Sequence, residues 1–238
     1  MRTVIVSGGA TGVGRAVAER FGGDRVVLLG RRGDVLAETA AAVGAEAIPG
    51  DLADPDTVDR VVAEIVAGGG GVDVLIAAAG GNVLLQGERP PGTAGVAWHW
   101  TENFRINTLT AVLLVEALKD HLNDGARVIL VSSIAAFRGS GEGSYGGAKA
   151  ALHPYSFDLA NALGPRGITV NVVAPGYVAG TEFFRGGMTD QRHQALVDQT
   201  LVKRAGTAED VADTVHWLAS PRAGHVTAQV IQVNGGAR

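Results

Sequence analysis

Ser132, Ser133, Tyr145 and Lys149, in the stretch VSSIAAFRGSGEGSYGGAK, are the residues whose types and spacing could do acid–base chemistry on a carbonyl. Tyr145 and Lys149 are four apart, so on a helix they share one face, one turn from each other. An ammonium that close favours a phenolate and is expected to draw the tyrosine pKa from about 10 toward neutrality. A tyrosine tuned in this way can act as general acid or base. A serine at the end of the preceding strand could donate a hydrogen bond to a substrate carbonyl or alkoxide. Tyr-x-x-x-Lys also arises by chance on a helix face, so its meaning depends on the elements that position it.

The nearest of these elements are a strand and a helix. RVILVSSIA is apolar and β-branched, which predicts a buried strand ending at the serines. YGGAKAALHPYSFDLANAL carries a helical apolar pattern, and Pro154 should kink that helix beyond Lys149.

Earlier in the chain, TVIVS feeds SGGATGVGRAVAERFGG, a strand, a glycine turn and a helix, with Gly8, Gly12 and Gly14 at the turn. This is the context a dinucleotide phosphate requires. RVVLLG predicts a second parallel strand. The residue after such a strand separates the two nicotinamide cofactors: an acidic side chain binds ribose hydroxyls, whereas arginine accepts a 2′-phosphate. Gly30 is followed by Arg31 and Arg32, so NADP(H) is expected in preference to NAD(H). Asp34 would cap the next helix. Asp51 follows a short third strand and could accept from an adenine amino group. Asp54 and Pro55 read as N-cap and first helical residue. GGGG at 68–71 reads as a link within the β/α alternation.

VDVLIAAAGG predicts a fourth strand whose small residues, Ala78, Ala79 and Gly80, would let a ribose or nicotinamide lie close. VLLQGERPPGTAGVAWH reads as loop. A long apolar helix is expected over 98–122, with Asn107 in its middle. A mid-helix asparagine needs a polar partner; distorting the helix and holding a water beside Lys149 would supply one. His99 and His121 read as surface residues, and nothing pairs them as metal ligands. ITVNVVAPG ends a sixth strand at Pro175–Gly176. The segment 177–200, with Tyr177, Phe183, Phe184, Arg185 and Arg192, reads as a substrate lid. Thr207 and Asp210 have capping-box spacing, and VTAQVIQV closes with a seventh strand.

Length and composition bound the rest. With 238 residues, 46% of them hydrophobic, the chain suits one large α/β domain. A net charge of −4 without a basic block argues against nucleic acid or an anionic membrane as partner. The absence of cysteine excludes disulfides and thiolate metal sites, and no metal site is expected. No apolar run reaches the length of a membrane span, so a soluble cytoplasmic protein is expected.

Taken together, the chain resembles the short-chain dehydrogenase/reductase family over nearly its whole length, in particular its 3-oxoacyl-ACP-reductase-like members. The resemblance rests on S-G-G-A-T-G-V-G at 7–14, D-L at 51–52, A-A-A-G at 77–80, Asn107, S-S-I-A at 132–135, Y-G-G-A-K at 145–149, P-G at 175–176 and V-N-G-G at 233–236. It implies a single Rossmann domain over 1–238, a doubly wound, seven-stranded parallel sheet with helices on both faces. It implies a carbonyl/alcohol oxidoreductase in which Tyr145 is the acid/base and Lys149 tunes it and binds ribose. Ser133, chosen over Ser132 by the S-I-A that follows, would orient the carbonyl, and Asn107 would hold a relay water. Gly8, Thr11, Gly12, Val13, Gly14, Arg31, Arg32, Asp51, Leu52, Ala79, Gly80, Tyr145, Lys149, Pro175, Gly176, Val178 and Thr181 would line the cofactor site. The expected partner is a small carbonyl or alcohol substrate, a 3-oxoacyl thioester or another ketone. The family's usual assembly is a homotetramer, or a homodimer, through 98–122, 144–163 and the last strand. The alternative is a non-catalytic NADP(H)-binding sensor or scaffold on the same fold. Three features depart from the family pattern. The asparagine usual before Ala79-Gly80 is absent, P-G-Y-V-A-G-T carries one extra residue before Thr181, and Thr11 stands where NADP-type members often carry a basic residue. Arg166 would offer a basic docking point for an acyl carrier protein, with Asp124 beside it.

Overall fold

The computed structural model describes residues 1–83, 90–139, 141, 143–184 and 186–237. In chain order the elements are β1 (Thr3–Ser7), α1 (Gly12–Ala18), β2 (Arg25–Gly30), α2 (Gly33–Val43), β3 (Glu46–Pro49), α3 (Pro55–Ala67) and β4 (Val72–Ala77). They are followed by α4 (Gly92–Phe104), α5 (Thr110–Leu118), β5 (Leu122–Val131), α6 (Ala135–Arg138), α7 (Ser144–Ala150) and α8 (Leu152–Leu163). Last come β6 (Thr169–Pro175), α9 (Asp190–Asp198), α10 (Ala208–Leu218) and β7 (Gln229–Val233).

The strands form one seven-stranded sheet in the order β3-β2-β1-β4-β5-β6-β7, and every pairing is parallel. Alternation along the buried strands divides the core into two layers. Ile5, Val27 and Leu29 face α3, α5 and α8, whereas Val4, Val6, Val26 and Leu28 face α1, α2 and α10. The chain winds outward from β1 to β3, then returns to lay β4 against the other edge of β1. The carboxyl ends of β1 and β4 therefore flank a topological switch point, where open α/β sheets bind ligands.

Local chemistry sets most boundaries. Asp54 caps α3 by accepting from Thr57 N, with Pro55 as the first helical residue. Thr207 and Asp210 complete a capping box on α10, the carboxylate reaching back to Thr207 N at 2.9 Å. Pro154 cannot donate to the preceding turn, and α7 and α8 part at Ala151. Between α4 and α5 the helix widens into a π turn, Arg105–Leu109, centred on Asn107. Such a turn aims a side chain differently from a regular helix.

Three expectations are corrected. The residues from Gly92 to His99 belong to α4 rather than to a loop, while Leu84–Arg89 lie outside the described residues. Asp34 does not cap α2; it sits in the first turn, and Arg32 occupies the cap position. His99 is not a surface residue but is 3% exposed. It bonds Ser144 Oγ through Nδ1 at 2.9 Å, and Asn103 donates to the same hydroxyl at 2.9 Å. Among the described residues no helix is long and apolar enough to cross a membrane, and no cluster of three His, Asp or Glu could hold a metal ion.

At the switch point the support of β4 comes from β1. Ser7 is fully buried, and its hydroxyl accepts from Ala78 N and Ala79 N, both at 3.1 Å. Ser7→Ala leaves both amides without that acceptor and should lower the unfolding free energy by about 1–3 kcal/mol. A urea midpoint equal to wild type would contradict this account of the β1–β4 junction.

Candidate active site

The sheet and its switch point deliver nearly all the expected site residues to one cleft of about 950 Å³. Its walls include Gly8, Thr11, Gly12, Val13, Gly14, Arg31, Arg32, Asp51, Leu52, Ala79, Gly80, Ser133, Tyr145, Lys149, Pro175, Gly176, Val178 and Thr181. Asn107 is fully buried behind that wall.

At the inner end, the chain stays in line with β6 past the end of β5. Ser132 N donates to Val173 O and Ile134 N to Pro175 O, both at 2.8 Å. The two serines then diverge. Ser132 Oγ turns to the back of α7, donating to Lys149 O at 3.0 Å and lying 2.9 Å from His153 Nε2. Ser133 hydrogen-bonds the hydroxyl of Tyr145. Tyr145 and Lys149 are 8% and 4% exposed, and Lys149 Nζ donates to Val131 O at 2.8 Å.

The protonation states differ from those the four-residue spacing predicts. Burial pushes the Tyr145 hydroxyl up to about 12, and the hydrogen bond from Ser133 pulls only part of the way back. Burial alone brings the Lys149 amine down to about 8. The spacing argument treats the pair as if in water. Here desolvation disfavours both charged forms, and neither group's charge offsets that cost in the other. At neutral pH the tyrosine is a phenol and the lysine is largely an ammonium.

Asn107 acts on the backbone of the loop after β4. Its amide donates to Gly81 O at 2.7 Å and its carbonyl accepts from Gly81 N at 3.0 Å. A Cβ on Gly80 would lie 2.5 Å from Asn107 Oδ1 and 2.9 Å from Lys149 Nζ. Only a residue without a side chain lets the loop, the asparagine and the lysine meet there.

The outer half of the cleft follows the first glycine turn. A Cβ on Gly14 would sit 2.1 Å from Gly8 O, so the turn closes this tightly only with glycine at that position. Thr181 reaches this turn despite the extra residue before it, its methyl 3.6 Å from where a Cβ of Gly12 would be. Arg31 and Arg32 are exposed at the rim. Burial alone would raise the Asp51 carboxyl, but bonds from Ala53 N and Arg105, with the charges of Arg105 and Arg31, hold it below its ordinary value. Arg105 Nη1 donates to Asp51 Oδ2 at 2.9 Å. Small backbone at one end, paired cations at the rim and a phenol at the other end fit an extended, phosphate-bearing ligand lying across the switch point.

The segment after Gly176 covers the inner end. Phe183 packs on Tyr145, with ring centroids 5.7 Å apart, and on Phe184 at 5.1 Å. Tyr177 packs on Phe184 and bonds His193 Nδ1 at 2.7 Å, and the Arg192 guanidinium lies over the Phe184 ring. Arg185 lies outside the described residues. Arg166 is engaged by Asp124 Oδ1 at 2.9 Å and by backbone carbonyls, which leaves little of a docking cation. Residue types alone do not disclose Glu182 as a wall of the cleft or Arg105 as the partner of Asp51. The signal for Arg105 and Glu182 was a charge near an expected site residue, legible only once the fold brings the partners together.

Residues 8–238 match the family model described as Enoyl-(Acyl carrier protein) reductase. The chain is 31% identical over 250 residues to the 3-oxoacyl-[acyl-carrier-protein] reductase FabG of Escherichia coli, covering 99% of this chain and 96% of that protein. It is 32% identical to the short-chain reductase protein NovJ of Streptomyces niveus, covering 98% and 92%. Among solved structures it resembles a short-chain dehydrogenase/reductase from Brucella melitensis, with a TM-score of 0.89, 29% identity, and 99% and 96% coverage. It also resembles a blue fluorescent protein from a metagenomic library in complex with NADPH, with a TM-score of 0.88, 28% identity, and 99% and 97% coverage. With matches over its whole length and a cleft in the position the fold requires, this chain belongs to the short-chain dehydrogenase/reductase family, oxidoreductases acting on the C=O/CH–OH pair.

Proposed function

We propose that the protein reduces a ketone to a secondary alcohol with NADPH, with Tyr145 as the proton donor. The observation that carries this reading is that Tyr145 and the arginines 31 and 32 line one cleft. A bound nicotinamide would supply the hydride to the carbonyl carbon. Gly8, Gly12 and Gly14 would take the pyrophosphate on backbone amides. Asp51 would face the adenine, and Arg31 and Arg32 the 2′-phosphate. Thr181, Pro175, Gly176 and Val178 would flank the nicotinamide, with Lys149 on its ribose.

The chain's own residues account for the proton. Ser133 turns from the phenol to the substrate oxygen and orients it. As that oxygen becomes an alkoxide, a stronger base than a phenolate, Tyr145 gives up its proton even from a pKa of about 12. The Lys149 ammonium then stabilises the phenolate left behind. Asn107 positions the Gly80–Gly81 backbone against Lys149 rather than touching substrate. A tyrosine protonated at neutral pH favours reduction over alcohol oxidation. The aromatic cover of Phe183, Phe184 and Tyr177, with Arg192 across Phe184, suits an extended ketone or acyl chain. Residues 177–200 act as its lid in this reading. The engaged Arg166 weighs against a carrier protein docking at that point.

A panel of ketones and matching alcohols, assayed with NADPH and with NADH, tests the reading. Turnover with NADPH should fall by at least about a hundredfold in Tyr145→Phe, while NADPH binding is retained. Saturable NADPH binding without turnover of any carbonyl would identify a sensor instead. The pH dependence carries a sign. Lys149, lowered to about 8, loses its positive charge as pH rises through that value, so kcat for reduction should be level near neutrality and fall above about pH 8. A reduction rate still level at pH 10, above that transition, would contradict the role given to the ammonium.

A further inference from the structure

Arg32, on which the preference for a 2′-phosphate partly rests, is already engaged. Its Nη2 donates to Glu182 Oε2 at 2.8 Å and to Thr11 Oγ1 at 3.2 Å. Glu182 opens the short turn Glu182–Phe184, whose next residue, Phe183, lies on the Tyr145 ring. One ion pair thus ties the cap of α2 to the segment over the proton donor, across the mouth of the cleft that all these residues line. The side chains are 52% and 61% exposed, so the pair is accessible to exchange with another anion.

A carboxylate on a guanidinium presents the same charge and acceptor oxygens as a phosphate ester. We infer that Glu182 is a specificity-determining residue that occupies, on Arg32, the place of the 2′-phosphate and competes with it. This rests on the reading of Arg31 and Arg32 as phosphate ligands. A 2′-phosphate must displace Glu182 or lie beside its charge, and either course weakens its binding. A dinucleotide ending in a free 2′-hydroxyl meets no such competitor. Glu182 therefore lowers the discrimination that the two arginines would otherwise give. Phosphate capture also frees the Glu182–Phe184 turn from the rim, coupling the cofactor's identity to the cover over Tyr145.

Isothermal titration of the full-length wild type, Glu182→Gln and Glu182→Ala with NADP⁺ and, separately, NAD⁺ tests this without recourse to turnover. Both variants remove an exposed carboxylate and should fold as wild type. The expected result is NADP⁺ binding tightened about two- to fivefold in both variants, the range of an exposed ion pair, with NAD⁺ affinity unchanged. An unchanged or weakened NADP⁺ affinity, or an equal shift for both dinucleotides, overturns the inference. The wild-type ratio separates the two ideas. If wild type prefers NAD⁺, the cofactor reading fails, whereas a rise in the NADP⁺ to NAD⁺ affinity ratio in the variants still establishes Glu182 as the competitor.

Discussion

Burying a phenol and an ammonium one helical turn apart, with no carboxylate among the described residues to offset either, is the constraint on which this site depends. Desolvation alone lowers Lys149 to about 8, and it raises Tyr145 to about 12 against the smaller opposing effect of the Ser133 hydrogen bond. Each charged form is costly there, so the chemistry that suits the pair is one in which charge appears only briefly, during a proton transfer. In the proposed reaction, a neutral donor beside a cation charged at pH 7 would be matched to quenching a developing alkoxide. The same pair is poorly matched to removing a proton from an alcohol at neutral pH.

The fold serves that constraint by fixing backbone rather than by adding side chains. β5 ends one residue before the serines, and Val131 O takes the Lys149 amine. The π turn brings Asn107 onto both polar groups of Gly81, which in turn sets Gly80 against Lys149. A second buried network, His99 with Ser144 and Asn103, ties α4 to the first residue of the helix that carries Tyr145. Asn107, His99, Asn103 and Ser144, none of which lines the cleft, therefore help decide where Tyr145 and Lys149 stand.

Much of this was legible in the sequence, and the physical reasons are specific. Strands buried on both faces read as apolar runs, and the punctuation by Gly, Asp-Pro and the Thr207/Asp210 pair marked their connections. Because the first glycine turn and the tyrosine helix follow fixed strands of one sheet, naming the strands places both ends of the cleft. What escaped involves partners distant in the chain or a property of burial. His99 sits on α4, whose start at Gly92 was hidden by glycines and prolines, so its inward face could not be phased. Asp51 and Arg105 meet only because the fold brings the start of the π turn to the loop after β3, and Arg32 meets Glu182 across 150 residues. The direction of the Tyr145 shift is not legible in the sequence because a spacing of four gives distance but says nothing of solvent.

The most direct measurement is a spectrophotometric titration of the free protein in the phenolate band, wild type against Tyr145→Phe, by rapid pH jump to stay ahead of alkaline unfolding. The account predicts that the difference spectrum shows no phenolate from Tyr145 at or below pH 10.0, the ordinary tyrosine value, since burial lifts this hydroxyl to about 12. A phenolate that titrates near neutrality and vanishes in the variant would mean that the neighbouring ammonium, not desolvation, governs the site, and would contradict it.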